Sequence, residues 1–247
     1  MKTILITGAS SGYGLETARY FLERGWRVIA TMRSPRPDVL PKSESLRLLG
    51  LDVTDARSIA AAVDAAGPID VLVNNAGIGA LGAFEATPMH TTREIFETNT
   101  FGTLAVTQAF VPGFRERQSG VIVNVTSSAT LAAFPLVAAY TASKTAVQGF
   151  SASLAHELRE FNVRVRLVEP GYGPDTRFAA NGGARMQGLI TEPYAAYAQS
   201  VFAGFAQVSA VTHPIDVAEA IWQAAHETSD RLHFPAGADA LALAAAR

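Results

Sequence analysis

Thr7-Gly8-Ala9-Ser10-Ser11-Gly12-Tyr13-Gly14 joins an apolar run of strand length, 4–7, to a helical pattern over 12–24. Glycines at these positions let the backbone turn tightly and approach a pyrophosphate. The helix beyond supplies free N–H groups and a partial positive charge. The spacing is Gly-x-x-x-Gly-x-Gly, not the commoner Gly-x-Gly-x-x-Gly. On the first strand of an alternating chain, the turn reads as a nucleotide-phosphate site built from Gly8, Ser10, Ser11, Gly12, Tyr13 and Gly14. The same residues contain Gly-x-Ser-x-Gly, the pattern of a serine hydrolase's nucleophile elbow, with Ser10 as nucleophile. That rival fits less well. The elbow's oxyanion hole borrows an N–H from a loop after an earlier strand, and no strand precedes this one. His90, His156, His213, His226 and His233 show no triad signature.

Outward from the turn, short apolar runs alternate with helical patterns. Strands are expected at 27–31, 46–51, 69–73, 121–125, 163–168 and 232–234. Helices are expected at 55–65, 91–98, 101–117, 140–161 and 214–226. Continuous apolar strands between helices imply a parallel sheet covered on both faces. Right-handed crossovers then give an α/β, doubly wound Rossmann-type fold, as a single domain over 1–247. The segment 172–210 breaks the alternation and is rich in glycine, alanine and aromatics. It is expected to form a lid over the substrate.

The 247 residues are 49% hydrophobic and 17% charged, with net charge −2. That composition is globular and gives no electrostatic case for nucleic acid or an anionic membrane. With no cysteine, disulfides, thiolate catalysis and cysteine-ligated metals are excluded. No metal site is expected. No stretch is long and apolar enough for a membrane span, so a soluble cytoplasmic protein is expected.

A second motif, Ala139-Tyr140-Thr141-Ala142-Ser143-Lys144, opens the helix over 140–161. Residues four apart share a helix face, so Tyr140 and Lys144 lie side by side. A neighbouring ammonium is expected to lower the phenol's pKa from its usual value of about 10. That would make Tyr140 a usable general acid and base near neutrality.

Taken together, these segments resemble the short-chain dehydrogenase/reductase family in its single-domain branch. The look is closest to retinol and 17β-hydroxysteroid dehydrogenases and their bacterial relatives. Besides the glycine turn, the resemblance rests on Leu51-Asp52-Val53, Asn74-Asn75-Ala76-Gly77, Asn99-Thr100-Phe101-Gly102, Ser127 and the Tyr140–Lys144 pair. It implies that Asp52 and Val53 hold the adenine ring, and that Asn75, Ala76 and Gly77 line the cofactor after strand four. It implies Asn99, Ser127, Tyr140 and Lys144 as the catalytic set, with Ser128 as second choice to Ser127. Hydride would pass between nicotinamide and a carbonyl carbon. Tyr140 would donate the proton and Ser127 would hydrogen-bond the same oxygen. Lys144 would also hold the nicotinamide ribose, and Asn99 would order a water linking Lys144 to solvent. Structural alternatives stand beside these roles: Ser127 as the cap of a strand end, Asn99 as a helix cap. Asn124-Val125-Thr126 spells a glycosylation sequon but falls in a core strand.

Strand two ends Ala30-Thr31-Met32-Arg33-Ser34, without the acidic residue that NAD-specific members place on the ribose. Arg33 could meet a 2′-phosphate with its planar fork. NADP(H) is therefore expected, with NAD(H) as the alternative. After strand six the family's Pro-Gly, three residues, Thr becomes Pro170-Gly171-Tyr172-Gly173-Pro174-Asp175-Thr176, one residue longer. The resemblance still implies Pro170, Gly171 and Thr176 as cofactor-binding, with Thr176 on the nicotinamide carboxamide in a register the extra residue leaves open. The substrate walls are sought in Ser127, Phe134, Tyr140, Tyr172 and Phe178, with Leu136, Tyr194, Tyr197, Phe202 and Phe205. These imply an apolar ketone, aldehyde or secondary alcohol. Relatives pair the helices over 101–117 and 140–161 across a two-fold axis, so a homodimer or homotetramer is expected. A non-catalytic dinucleotide sensor is the remaining alternative, against which the intact proton donor argues.

Overall fold

In a computed structural model, described for residues 1–176, 178–207 and 210–246, every strand of the central sheet is parallel to its neighbours. The strands are β1 Thr3–Ile6, β2 Arg27–Met32, β3 Leu46–Gly50, β4 Val71–Asn74, β5 Gly120–Val125, β6 Val163–Pro170 and β7 His233–Ala236. Their order is β3-β2-β1-β4-β5-β6-β7. β1, β4 and β5 are buried along their whole length, which is why their sequences are continuous apolar runs and not alternating ones. The order reverses beside β1, and the crevice beyond the C-terminal ends of the strands opens there.

Helices cover both faces. On one, α1 (Gly12–Glu23) packs on α8 (Pro214–His226). Phe21 and Trp26 meet edge to face at 5.1 Å, and Trp222 lies 5.0 Å from Phe21. On the other face lie α2 (Ala56–Ala66), α4 (Gly102–Arg117) and α5 (Ala138–Arg159), closed over Leu5, Leu72, Ile122 and Phe114. A polar ladder runs through this layer. Asn74 donates to Thr107 at 2.9 Å and to Asn124 Oδ1 at 2.8 Å, and Asn124 donates to Ser151 at 2.8 Å. Asn124 is fully buried, so the sequon is structural.

Three elements differ from the sequence expectation. The helix expected over 91–98 is α3, Met89–Phe96, and it runs into α4 through a π-helical turn, Glu97–Phe101. The expected irregular stretch is mostly helical: α6 Phe178–Met186, a 3₁₀ turn Glu192–Tyr194, and α7 Ala195–Gln207. A last helix, α9 Ala238–Ala245, follows β7. Ala198 is the only fully buried residue among the described side chains of α7, so no amphipathic stripe announces that helix.

Candidate active site

The glycine turn is built by its neighbours. Gly8 has φ +70°, and a Cβ there would come within 2.8 Å of Ala76 Cα. A Cβ at Gly14 would lie 2.6 Å from the carbonyl oxygen of Gly8. The Thr7 hydroxyl accepts from the backbone N–H groups of Asn75 and Ala76, each at 3.0 Å. Asn75 Nδ2 donates to the carbonyls of Thr7 and Gly8 at 2.9 and 3.2 Å. The Asn75 side chain therefore shapes the turn. Ser11 is the N-cap of α1 with no side-chain cap bond, and no acidic residue occupies the first turn. Free amides, a positive helix end and glycines that no side chain could replace together fit a dinucleotide pyrophosphate.

Beyond β3, Asp52 Oδ1 accepts from the Thr54 amide at 3.0 Å and its hydroxyl at 2.7 Å. These bonds hold its carboxyl below the usual range. Val53 packs against Gly102 at the start of α4. Arg33 is exposed at the end of β2. A second arginine, not singled out from the sequence, joins it: Arg36 Nη2 donates to the Ser10 carbonyl at 2.8 Å, directly on the glycine turn. Its only signal in the sequence is its place between Pro35 and Pro37.

Ser127, Tyr140 and Lys144, expected to be catalytic, come together where β5 ends and α5 begins. Ser127 is bonded to the Tyr140 side chain and also accepts from the Ala129 amide at 3.2 Å, as N-cap of a 3₁₀ turn. Its hydroxyl thus serves as the cap and faces the Tyr140 phenol at once. Lys144 is buried, its Nζ 6.0 Å from the Tyr140 ring centroid, and it donates to the Val125 carbonyl at 2.9 Å. The expected lowering of the Tyr140 pKa does not occur in the protein alone. Burial pushes that phenol up to about 12, against a smaller opposing effect of the Ser127 hydrogen bond. Burial also pushes Lys144 down to about 8. Both shifts have burial as their main cause: the site penalises charge, so Tyr140 rests as the neutral phenol.

Asn99 sits fully buried on the π turn. Its Oδ1 accepts from Ile78 N at 2.8 Å, and its Nδ2 donates to Ile78 O at 2.9 Å and Ser143 Oγ at 3.0 Å. Both amide hydrogens are spent, so the side chain clamps the loop after β4 onto α5. A Cβ at Gly77 would stand 3.3 Å from Asn99 Oδ1 and 3.4 Å from Lys144 Nζ. Gly77 thus borders both groups. Ser143, unremarked in the sequence motif, accepts from Asn99 and donates to the Tyr140 carbonyl at 2.7 Å.

After β6, Pro170 ends the strand and the Gly171 amide donates to Thr212 Oγ1 at 3.0 Å. Thr176 lies above the glycine turn, its Cβ 3.8 Å from where a Cβ on Gly12 would be. The longer loop has not carried Thr176 away from the site. Tyr13 reaches from the turn to this loop and lies against Gly173; burial raises its phenol pKa well above the usual value. Tyr172 is exposed and stacks on Phe205 at 5.6 Å. Tyr197 and Phe202 are exposed, which excludes a core role. Phe134 lines a groove of about 630 Å³ with Ala138, Thr141, Ala142, Thr145 and Ala146, and neither Tyr140 nor Lys144 is on its wall. The side chain of Phe178 lies outside the described residues. α6 is tied down by Arg185, which meets Glu94 of α3 at 2.8 Å, and the loop after it by Leu189 O, which accepts from Ala83 N at 2.9 Å.

Residues 2–186 match the family model described as short chain dehydrogenase. The chain is 43% identical over 181 residues to the uncharacterized oxidoreductase YusZ of Bacillus subtilis, across 69% of this chain and 64% of that protein. It is 37% identical to human retinol dehydrogenase 8, across 69% of this chain and 58% of that one. Among solved structures, a short-chain dehydrogenase from Streptomyces avermitilis superposes with a TM-score of 0.83 at 34% identity, covering 99% of this chain and 91% of that chain. One from Burkholderia phymatum in complex with NAD gives 0.82 at 25% identity, covering 99% and 92%. One from Burkholderia cenocepacia in complex with NADP gives 0.78 at 27%, covering 99% and 93%. Neighbours of this fold thus hold either dinucleotide.

Proposed function

Because the chain belongs to the short-chain dehydrogenase family, we propose that it transfers hydride between NADP(H) and an apolar ketone, aldehyde or secondary alcohol. The observation that carries this reading is the gathering of Ser127, Tyr140 and Lys144 at the C-terminal end of β5, with the phenol held protonated. The bound nicotinamide supplies the hydride in reduction and accepts it in oxidation. Tyr140 gives its proton to the substrate oxygen as negative charge develops there, and Ser127 orients the phenol and bonds the same oxygen. Lys144 supplies positive charge behind the phenol, strongest when its own proton is kept.

NADP(H) is favoured over NAD(H) by the two guanidinium groups, Arg33 and Arg36, and by the missing acidic residue at the end of β2. Neither arginine is in an ion pair among the described residues. An apolar substrate is supported by Tyr172, Phe205, Tyr197 and Phe202 on the segment after β6, and α7 carries no charged residue. We assign 172–210 as the substrate lid and the whole chain as one catalytic domain. The decisive test follows nicotinamide absorbance over a panel of apolar ketones and aldehydes with each dinucleotide. Turnover with NADPH, lost in Tyr140→Phe while the dinucleotide still binds, is the expected result. Tight dinucleotide binding with no turnover of any carbonyl or alcohol would instead favour a sensor.

A further inference from the structure

Gly173 belongs to the one-residue-longer loop after β6, and its glycine is not demanded by its backbone. Its φ lies outside the left-handed region, so an L-residue could adopt the same conformation. What excludes a side chain is space. A Cβ on Gly173 would collide with Tyr13 Oη and would stand 3.1 Å from Tyr13 Cζ. The same Cβ would be 3.2 Å from Thr176 Cγ2. The end of the Tyr13 ring therefore occupies the position of a side chain at 173, next to Thr176. Thr176 closes the loop from the other side: its hydroxyl and its amide both donate to the Gly173 carbonyl, at 2.9 and 3.3 Å. Among the described residues no protein group bonds the Tyr13 hydroxyl.

We propose that Tyr13 is a positioning residue for the nicotinamide end of the cofactor, acting as a strut between the glycine turn and the loop of residues 171–176. The turn is rigid, since Asn75, Ala76 and the Thr7 hydroxyl fix it. The loop is one residue longer than its pattern requires and needs a stop. Tyr13 supplies the stop, and Gly173 is the notch that receives it. The loop is anchored at Gly171, Tyr172 and Asp175 to Thr212, Asp239 and His213, and Tyr13 sets its height over the turn at Gly173 and Thr176, with Thr176 above Gly12. The inference rests on the nicotinamide reading given above and assigns the residue that sets one part of that site.

The test is a double-mutant cycle with Gly173→Ala and Tyr13→Phe, read on two ligands. One is the tighter-binding of NADPH and NADH. The other is its fragment without nicotinamide, ADP-ribose or its 2′-phosphate, which engages the turn but not the loop. Gly173→Ala is expected to weaken dinucleotide binding about tenfold, the size of a contact coupling. It should leave fragment binding within about twofold of the parent, since the displaced atom is the Tyr13 hydroxyl and the backbone of the turn stays fixed by the Thr7 hydroxyl and Asn75. Tyr13→Phe keeps the ring and removes the colliding oxygen. In that background Gly173→Ala should cost no more than about threefold. A melting temperature for each variant accompanies the titrations. Additive losses in the cycle, a tolerated Gly173→Ala, or equal weakening of dinucleotide and fragment would overturn the strut. If the unmodified protein binds neither dinucleotide, the nicotinamide reading itself falls, a result separate from an additive cycle.

Discussion

At the scale of single residues, the site is organised by the cost of charge. Tyr140 and Lys144 move in opposite directions, one to about 12 and the other to about 8, because burial disfavours phenolate and ammonium alike. The linkage signs then differ. Between about 8 and the ordinary lysine value of 10.5, the unfolded chain holds the Lys144 proton and the native chain does not, so this residue adds stability as pH rises through that window. Between the ordinary tyrosine value of 10.0 and about 12 the native chain holds the Tyr140 proton, so stability falls as pH rises there. At pH 7 the buried ammonium is a burden on the cofactor-free protein. Lys144→Met should therefore keep or raise the melting temperature at pH 7 while abolishing turnover. A drop of several degrees would mean that the bond to the Val125 carbonyl outweighs the desolvation. Tyr140→Phe should remove at least about a thousandfold of kcat, in line with loss of a general acid and its hydrogen bond, while dinucleotide affinity stays near the parent value. Residual turnover above a few per cent would reassign the proton donor. For the cofactor, each charge-assisted arginine–phosphate contact is worth roughly 1.5–3 kcal/mol. Arg33→Ala and Arg36→Ala should each raise KM for NADPH about tenfold or more and leave KM for NADH nearly unchanged. Thr31→Asp should reverse the preference. Equal kcat/KM for both cofactors in the unmodified protein would show that both arginines are surface groups.

At the scale of elements, the sheet was legible because its strands are buried on both faces and read as apolar runs, as over 71–73 and 121–123. The glycine turn was legible because its steric demands are local. The π turn at Glu97–Phe101 was not: one extra residue per turn leaves no trace in composition, yet it sets Asn99 in place against Ile78 and Ser143. After β6 the helix over 214–226 was legible, whereas α6 and α7 were missed for the opposite reason. α7 lies on the surface with little buried, so its apolar residues follow no core stripe. The direction of the Tyr140 shift was illegible because it depends on burial by distant segments, and Arg36 because its reach depends on the path of an exposed loop. The proposed lid carries its own prediction. Arg185 and Glu94 form a part-exposed ion pair, worth at most about 1 kcal/mol to stability. Arg185→Ala should barely change the melting temperature. Because the pair joins α6 to α3, the same variant should raise substrate KM about threefold, a free energy within that bound. A large stability loss with unchanged KM would make the pair structural and not a latch.

At the scale of the whole molecule, α4 and α5 each bury one face on the sheet, and α5 leaves another over 142–149 that is small and uncharged. Ala105, Ala109 and Ala155 pack against the core, but Ala142, Thr145, Ala146 and Gly149 of α5 are exposed along one side. Phe101, just before α4, is 54% exposed. The groove bordered by Phe134 opens on the same side of α5. A row of alanines and glycine lets two helices approach closely, and a two-fold axis through it would set α4 and α5 against their copies. Such an isologous contact repeats every favourable interaction twice, and every unfavourable one too. That doubling makes the prediction sharp. The protein should be a dimer or tetramer by light scattering at micromolar concentration. Ala146→Arg should shift it toward monomer, because the two-fold would bring like charges together in an apolar contact with no partner for either. Ala146 is exposed in the single chain, so the same variant should leave the melting temperature of the isolated monomer almost unchanged. A monomeric mass for the unmodified protein would end the proposal. A dimer untouched by Ala146→Arg would place the two-fold on another face.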